Sequence, residues 1–264
     1  ITSFYLESDD GESLLPFVPG QFLPLRLDVP GQPTSLTRTY SLSDGPADRD
    51  HYRLSIKREG APENRSDLPP GVASSYLHDQ VEPGTKLEAA APRGKFTLDP
   101  WSETPVVLLS AGVGLTPMIS MLNAIVESGS GRPVWFIHGA RSGREHAFGE
   151  HVRRLALEHH NVQVHVRYSG PETRDVEGRD FNSVGRVDTA LVREMLHGSD
   201  HDFYVCGPTT FMKELYGGLR DWGVPETRIH YEFFGAGSAL GEEDASVTSG
   251  STVDCCTEIE VIFA

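Results

Sequence analysis

The stretch VVLLSAGVGLTPMISML, residues 106–122, constrains the fold of this 264-residue chain more than any other stretch. It begins with an apolar run, residues 106–109, typical of a strand buried on both faces of a parallel sheet. A break with two glycines follows, and helical apolar spacing resumes at Thr116. Thr116 is predicted to be the N-cap and Pro117 the first helical residue, where its missing N–H is not needed.

A strand, a glycine turn and a capped helix together predict a phosphate site. Small residues let a ligand approach the backbone, and a helix N-terminus offers free N–H groups and a positive potential. The dinucleotide fingerprint G-x-G-x-x-G needs a third glycine where this chain has Pro117, so that general fingerprint is not met. On these residues alone, the turn is equally compatible with an ordinary tight connection.

The fold class follows from a change in the predicted secondary structure along the chain. Short alternating segments, many turns and one helix at residues 72–80 predict a small antiparallel β-barrel in the first hundred residues. From residue 105, strands and helices alternate, which is typical of a doubly wound parallel sheet that binds ligands at the carboxyl ends of its strands. The predicted strands are 106–109, 134–138, 162–168, 203–206 and 229–233, and the predicted helices are 116–127, 146–158, 189–196 and 210–222. Residues 168–187 are predicted to form a surface loop.

The sequence thus predicts an α+β two-domain protein, with a barrel domain at 1–100 and an α/β domain at 101–234. Residues 235–264 are predicted to be a linker and a strand. The linker, 235–254, is rich in Ser, Gly and acidic residues, which favours a flexible tether. The strand at 257–263 is interpreted as the start of a further domain that is cut off. The alternative is a tail strand that docks back on the barrel.

Composition excludes some classes of function. The chain has 23 Lys and Arg against 38 Asp and Glu, a net charge of −15, which argues against nucleic-acid and anionic-membrane surfaces. No apolar run approaches the roughly 18 residues of a membrane span, and no signal peptide is recognisable. The three cysteines form neither a disulfide framework nor a zinc pattern, and no metal is assigned. A reducing, cytoplasmic location fits this cysteine usage.

Two segments of the barrel carry further candidate residues. Residues 38–41, Arg-Thr-Tyr-Ser, combine a cation, an aromatic ring and a hydroxyl that would suit a flavin. Arg38 could bind two pyrophosphate oxygens with its guanidinium group, and Tyr40 could stack on the flavin ring system. Ser41 could form a hydrogen bond near the flavin N5. Residues 71–77 open a second helix with Gly71 and place Ser74 in its first turn, again an anion site. Any exposed strand and any capped helix can carry such residues, and those interpretations stay open here.

Taken together, these segments resemble the ferredoxin-reductase-type family of FAD/NAD(P)H modules, over residues 1 to about 235. Five family motifs occur in the correct order: R-x-Y-S at Arg38, Tyr40 and Ser41; G-x-x-S-x-x-L at Gly71, Ser74 and Leu77; G-x-G-x-T-P at Gly112, Gly114, Thr116 and Pro117; C-G-P at Cys206, Gly207 and Pro208; and E-x-F-G at Glu232, Phe234 and Gly235. The chain is most similar to the reductase halves of flavohaemoglobins and of fused oxygenase reductases. Residues 259–264 resemble the first strand of a plant-type [2Fe–2S] ferredoxin domain.

The resemblance implies FAD and NAD(P)H as cofactors. A [2Fe–2S] cluster would belong only to a missing C-terminal domain, because its cysteine spacing is absent here. The implied cofactor-binding residues are Arg38, Thr39, Tyr40, Ser41, Ser55, Lys57, Gly71, Val72, Ala73, Ser74 and Phe234 for the flavin, and Gly112, Gly114, Thr116, Pro117, Arg141, Cys206, Gly207 and Pro208 for the nucleotide. FAD is preferred over FMN because Arg38 and the Gly71 helix both offer pyrophosphate contacts.

The implied catalytic residues are Ser41, Cys206 and Glu232. Ser41 would assist at the flavin N5, Cys206 would line the nicotinamide position, and Glu232 would act as an acid or polar orienter. Phe234 would guard the flavin ring. The alternatives are a buried strand-end residue for Cys206 and a core aromatic for Phe234. NADH and NADPH are not distinguished, since Arg141 and Arg144 could hold a 2′-phosphate or lie in a solvated loop.

The resemblance implies that hydride passes from NAD(P)H to the flavin. Electrons then leave singly to a fused or separate iron–sulfur or haem acceptor. One alternative function is the reductase half of a flavohaemoglobin-type nitric oxide dioxygenase. Another, of a different class, is a non-catalytic flavin-binding domain.

Overall fold

The computed structural model describes residues 1–61 and 69–234, together with the backbone of residues 256–262. These residues form two units, Ile1–Leu98 with the strand at 256–262, and residues 99–234. The predicted tether at 235–254 lies outside the described residues. The elements are, in chain order, β1 (Thr2–Ser8), β2 (Phe22–Leu27), β3 (Leu36–Ser41), β4 (Tyr52–Ile56), α1 (Val72–Gln80), β5 (Lys86–Ala90), β6 (Val106–Ala111), α2 (Leu115–Glu127), β7 (Val134–Ala140), α3 (Gly149–Glu158), β8 (Val162–Tyr168), β9 (Ser183–Val184), α4 (Thr189–Met195), β10 (Asp202–Cys206), α5 (Thr209–Asp221), β11 (Ile229–Glu232) and β12 (Cys256–Ile262).

The first unit is an antiparallel barrel. Its sheet has the order β3-β2-β5-β12-β1-β4. Leu42, directly after β3, forms an antiparallel bridge with Leu54 of β4, so the two ends of this order meet and the sheet closes. The barrel is filled by apolar side chains, among them Phe4, Leu6, Leu23, Leu25, Leu54 and Leu77. The predicted barrel is confirmed.

The strand β12 lies between β1 and β5. It pairs antiparallel with both, for example Leu6 with Val261 and Leu87 with Ile259. The backbone therefore has the arrangement stated above as the alternative, a tail strand that docks on the barrel. This pairing does not test whether β12 is also the first strand of a ferredoxin domain. That assignment stays a prediction.

The second unit is a six-stranded, wholly parallel sheet of order β11-β10-β6-β7-β8-β9. From β6 the chain moves outwards through β7 to β9 and then returns to the other side for β10 and β11. The order therefore reverses between β6 and β10, and ligands of such sheets bind at the carboxyl ends beside this reversal. The predicted doubly wound sheet is confirmed. None of the described helices is long and apolar enough to cross a membrane.

Helices cover both faces of this sheet. One face packs Val107, Leu109 and Ile137 against side chains of α4 and α5 such as Val192 and Leu215. The opposite face presents the alternate residues of the same strands to α2 and α3. Residues 106–110 of β6 are buried without exception, as expected for a central strand covered on both sides.

Two elements differ from the sequence-based expectation. Helix α3 begins at Gly149 and not at residue 146, because residues 142–146 form turns and Phe148 takes a left-handed conformation with φ 59°. Within the predicted surface loop, Ser183 and Val184 form the short strand β9 beside β8. A two-residue strand leaves too little alternation to be recognised in a sequence.

A buried arginine ties the start of the second unit to its sheet. Arg132 is 4% exposed, and its guanidinium donates to the carbonyl oxygens of Asp99 and Thr104 and to the hydroxyl of Ser102. It also forms an ion pair with Asp202 at 3.0 Å. Because a buried guanidinium needs acceptors for all its N–H groups, this cluster holds residues 99–104 in one conformation.

We expect Arg132→Met to lower the free energy of unfolding by about 3 kcal/mol, because Asp202 and the carbonyl oxygens of Asp99 and Thr104 lose their buried donor. Chemical denaturation followed by circular dichroism measures the change. Arg154→Met is the matched control, since Arg154 pairs with Glu158 in solvent and its loss costs about 0.5 kcal/mol or less. Equal effects of the two substitutions would contradict the role given to Arg132.

Candidate functional site

The glycine turn after β6 is a single 3₁₀ turn, Gly112–Gly114, that leads directly into α2. Gly112 has φ +56°, a left-handed conformation that favours glycine, and the space beside its Cα is open. Gly114 is different, because a Cβ there would lie 2.3 Å from the carbonyl oxygen of Cys206. The first glycine therefore shapes the turn, and the second lets the turn pack against the end of β10.

The predicted cap of α2 was wrong. Its N-cap residue is Gly114, and Thr116 and Pro117 are the second and third residues of the helix. The Thr116 hydroxyl donates to the carbonyl oxygen of Val113 at 3.1 Å, and both Thr116 and Pro117 are buried. The preceding 3₁₀ turn moves the N-cap back by two residues, from Thr116 to Gly114. Pro117 is still accommodated, since the first four N–H groups of a helix have no partner within it.

A pocket of about 320 Å³ opens at the carboxyl ends of the parallel strands. Three predicted nucleotide residues line it, Gly112, Arg141 and Pro208. Arg144, the other arginine considered above, is not among its lining residues. Sequence reasoning missed most of the wall, including Gly139, Glu145, Ser169, Arg186, Phe211 and Glu214. These residues come from four separate parts of the chain, so only the rule that such sheets bind ligands at this edge could have indicated them.

The pocket carries charges of both signs. Arg141 and Arg186 are exposed at its wall, and neither forms an ion pair within the described part of the chain. Glu145 and Glu214 are the acidic lining residues, both exposed. Two arginines with free N–H groups suit phosphate or carboxylate oxygens, which guanidinium groups bind in pairs.

Cys206 and Glu232 lie side by side at the ends of β10 and β11, where they are register partners. Cys206 is 0% exposed, and burial together with the neighbouring Glu232 raises the pKa of its thiol, so the thiol stays neutral. Its predicted contact with a nicotinamide stays a prediction. Burial also raises the pKa of Glu232 to about 7, and its Oε2 has no hydrogen-bond partner in the described part of the chain.

The remaining residues of the two C-terminal motifs have distinct surroundings. A Cβ on Gly207 would lie 2.7 Å from the Phe211 ring, and Pro208 is the N-cap residue of α5. Phe234 is 41% exposed, which is not the environment of a core aromatic. Among the described residues no group of three or more His, Cys, Asp or Glu could hold a metal ion.

A chain of buried polar groups runs behind the glycine turn. Ser110, the last residue but one of β6, bonds to His138 Nδ1 at 2.9 Å. The His138 ring stacks on His146, whose Nδ1 bonds to the Tyr168 hydroxyl at 2.9 Å. Burial lowers the pKa of His138 to about 3 and that of His146 to about 4, so both rings are neutral near pH 7. Neutral rings support the strand ends without adding charge to them.

The barrel carries the other predicted residues. Arg38 and Thr39 are exposed on β3, and the Arg38 guanidinium donates to the Thr37 carbonyl oxygen. Tyr40 packs against the barrel core, and burial raises its pKa to about 12. Ser41 is 6% exposed, and its hydroxyl has no partner in the described part of the chain. A buried hydroxyl without a partner is costly unless a ligand supplies one, so these residues fit a flavin.

Other predicted flavin residues have their side chains engaged within the protein. The Ser55 hydroxyl lies 2.9 Å from those of Ser3 and Ser43. The Ser74 hydroxyl accepts from the Glu59 N–H and donates to the Gly71 carbonyl oxygen, both at 3.1 Å.

The start of α1 can therefore serve a ligand through its backbone. Gly71 is the N-cap residue there, and Val72 and Ala73 are the first two residues of the helix. Lys57 is exposed and pairs with Glu59 at 3.7 Å.

Family models match both units. The oxidoreductase FAD-binding domain matches residues 1–98, and the oxidoreductase NAD-binding domain matches residues 108–216. The flavohem-like FAD/NAD binding domain of nitric oxide dioxygenase from Vibrio cholerae O1 biovar El Tor is 34% identical, with a TM-score of 0.76 over 88% of this chain and 91% of that one. The chain belongs to the ferredoxin-reductase-type family of FAD/NAD(P)H oxidoreductase modules. It contains an FAD-binding domain followed by an NAD-binding domain.

Longer proteins are also similar to this oxidoreductase module. The flavohemoprotein of Halalkalibacterium halodurans is 42% identical over 240 residues, which are 91% of this chain and 57% of the relative. The crystal structure of flavohemoglobin from Malassezia yamatoensis with bound FAD and heme is 25% identical, with a TM-score of 0.72 over 88% of this chain and 56% of that one. The module thus spans somewhat more than half the length of these relatives.

We expect Gly114→Ala to destabilise the NAD-binding domain by about 2 kcal/mol or more, because a Cβ 2.3 Å from the Cys206 oxygen must displace backbone. Gly217→Ala in α5 is the matched control. Its Cβ would meet nothing within 4 Å, and alanine in a helix is about 0.5–1 kcal/mol more favourable than glycine. Thermal unfolding measures both, and a fall in Tm for both variants alike would contradict the packing role of Gly114.

We expect the stability of Glu232→Gln relative to wild type to rise with pH. A folded-state pKa of about 7, above the ordinary glutamate value of 4.5, means that wild type loses stability as pH rises through this interval, which the glutamine variant does not. Between pH 5 and pH 8 the difference in unfolding free energy should grow by about 2 kcal/mol. A difference that is constant with pH would show that burial does not raise this pKa.

Proposed function

We propose that the chain takes a hydride from NAD(P)H onto FAD and passes electrons singly to a haem or [2Fe–2S] centre. That acceptor belongs to a fused domain of a longer protein or to a separate partner. The observation that carries the proposal is the presence, in one chain and in this order, of an FAD-binding and an NAD-binding domain. The cysteine usage supports a reducing, cytoplasmic location.

The flavin half of the proposed site uses few side chains. Arg38 offers a forked cation for pyrophosphate oxygens, and the first turn of α1, from Gly71 to Ser74, offers backbone N–H groups to the same anion. Tyr40 supplies an aromatic ring and Ser41 a hydroxyl free to donate near N5. When bound, the flavin accepts a hydride and releases electrons one at a time, which no side chain can do. Two pyrophosphate contacts support FAD over FMN.

The nucleotide half of the proposed site lies in the pocket of the NAD-binding domain. The Gly112–Gly114 turn and the start of α2 offer N–H groups and a positive potential to the pyrophosphate. Arg141 and Arg186 supply cations at the wall. These cations suit the 2′-phosphate of NADPH, and they equally suit the pyrophosphate that NADH and NADPH share. NADH and NADPH therefore both remain candidates.

Cys206, Glu232 and Phe234 have different parts in the proposal. Glu232 exchanges a proton near neutral pH, since its pKa is about 7, and so can hold or release a proton at Oε2. Cys206 offers a small neutral group beside it, and Phe234 an exposed ring suited to covering a flavin. Gly207 and Pro208 keep the connection between β10 and α5 short.

A second candidate is the reductase half of a flavohaemoglobin-type nitric oxide dioxygenase. It is supported by the similarity to flavohemoproteins and to the domain of a nitric oxide dioxygenase. The resemblance of residues 259–264 to a ferredoxin strand favours a [2Fe–2S] acceptor in its place, whereas the pairing of β12 with β1 and β5 requires no further domain. The full-length protein decides between them, because a bound haem absorbs strongly in the Soret region, whereas a [2Fe–2S] cluster releases equal amounts of iron and acid-labile sulfide.

We expect the purified chain to bind flavin, and the oxidised-flavin band to disappear rapidly when NADH or NADPH is added without oxygen. Anaerobic stopped-flow absorbance measures the step, and the faster nucleotide identifies the cofactor. A yellow protein that neither nucleotide reduces would overturn the nucleotide site, and a protein that takes up no flavin would overturn the whole proposal.

We expect Ser41→Ala to lower the limiting rate of flavin reduction about tenfold at unchanged nucleotide affinity, since the donor near the reacting atom is lost. Thr37→Ala, which removes an exposed hydroxyl from the same strand, is the matched control. An unchanged rate in Ser41→Ala would remove Ser41 from the reaction.

A further inference from the structure

One wall of the nucleotide pocket is formed by the segment that follows β9. Gly185, Arg186 and Val187 all line the pocket. Gly139 is packed against this segment, since a Cβ there would lie 3.4 Å from Val187 Cγ2. The segment therefore rests on the end of β7, and its position shapes this side of the pocket.

Little regular structure holds this wall. Strand β9 has two residues and pairs only with the last two residues of β8. Backbone hydrogen bonds flank it on both sides, from the Asn182 N–H to the Val166 carbonyl oxygen at 2.8 Å and from the Gly185 N–H to the Tyr168 carbonyl oxygen at 2.9 Å. Short edge strands of this kind open easily, so side-chain contacts must help to hold the segment, and the burial of Val187 in the core is one of them.

Arg167 supplies that support from β8. Its guanidinium donates to the carbonyl oxygens of Val184 and Arg186, both at 2.9 Å. It also lies 3.9 Å from a carboxylate oxygen of Asp188, which caps α4 by accepting from the Leu191 N–H. A planar fork with several donors suits two carbonyl groups that lie two residues apart, whereas a lysine ammonium lacks this geometry.

Gly185 completes the arrangement. It has φ +132°, a backbone conformation that residues with a side chain rarely adopt, and a Cβ there would lie 2.8 Å from Arg167 Nη2. The segment can therefore close over the guanidinium only with glycine at this position. Arg167 itself is not among the residues that line the pocket.

We propose that Arg167 is a positioning residue for the nucleotide pocket, and that it acts by holding the backbone of residues 184–186 as one wall of that pocket. This inference rests on the proposed function of that pocket as the NAD(P)H site. The guanidinium acts through the wall and does not touch the nucleotide. Its loss therefore weakens nucleotide binding, while the hydride step in the fully bound complex keeps its rate.

The test uses the flavin-loaded chain and anaerobic stopped-flow reduction by whichever nucleotide wild type uses faster. The dependence of the rate on nucleotide concentration gives an apparent Kd and a limiting rate. For Arg167→Met we expect the apparent Kd to rise about tenfold with the limiting rate within about twofold of wild type. Arg167→Lys should recover part of the affinity, to about threefold weaker than wild type.

Gly185→Ala tests the same wall from its other side. It should reproduce the weaker binding at an unchanged limiting rate, because its Cβ displaces the guanidinium. Arg154→Met is the matched control, an exposed arginine of α3 that is not part of the pocket, and its Kd should stay unchanged. Flavin content and thermal midpoint confirm that each variant is folded.

The outcomes separate this inference from the proposed function. Unchanged affinity in both Arg167→Met and Gly185→Ala would overturn the inference alone, as would a lower limiting rate at unchanged affinity. A variant too unstable to load with flavin would also overturn it, since Arg167 would then support the whole domain and not one wall. Wild type that binds neither nucleotide would overturn the proposed function.

Discussion

The contact between the turn at Gly114 and the carbonyl group of Cys206 is the constraint on which the carboxyl edge of the parallel sheet depends. Strands β6 and β10 are neighbours at the point where the sheet order reverses, so both of their connections must leave from the same small space. Only residues without a Cβ let the two backbones approach as closely as they do. The Gly112–Gly114 turn therefore packs its backbone against the end of β10, and its peptide N–H groups, with those at the start of α2, attract anions without any charged side chain.

In the barrel, the groups left for a ligand are determined by the hydrogen bonds among its side chains. Two of its candidate hydroxyl groups, those of Ser55 and Ser74, bond to other hydroxyl groups or to the backbone. These bonds tie β4, the strand β1 beside it and the start of α1 into one rigid arrangement. Arg38 and Ser41 are left as the polar groups that face outwards or lack a partner in the described part of the chain. A site with few free groups on a rigid frame selects its ligand by shape and by the position of each donor.

Much of this architecture could be predicted from the sequence. The strand at Val162–Tyr168 and the helix at Val72–Gln80 have the predicted bounds, because alternation and helical spacing there agree with the packing of the fold. The glycine motifs indicated the turn after β6, since their conformational freedom is local. The cap of α2 was missed because a 3₁₀ turn at Gly112 competes with the cap expected at Thr116.

Other parts of the site could not be predicted from the sequence. The pocket wall at Arg186 and Glu214 depends on which connections meet in space, and the engagement of Ser55 depends on hydroxyl groups far away in the chain. The tail strand β12 satisfies the alternation of a strand in either of its two interpretations. Its pairing with β1 and β5 depends on strands far away in the chain, which its own residues do not indicate.

The buried titratable groups of the NAD-binding domain have opposite effects on its stability in acid. In the folded protein His138 and His146 stay unprotonated down to about pH 4, whereas in an unfolded chain they would bind protons below about pH 6.5, so weak acid favours unfolding. Glu232 keeps a proton that it would release when unfolded, so its effect has the opposite sign. Below about pH 6.5, the stability gained from the two histidines as pH rises is larger than the stability lost from Glu232. Above that pH the contribution of Glu232 dominates, and stability falls as pH rises further. These three groups alone therefore give the domain its greatest stability close to neutral pH, where Glu232 is also free to exchange its proton.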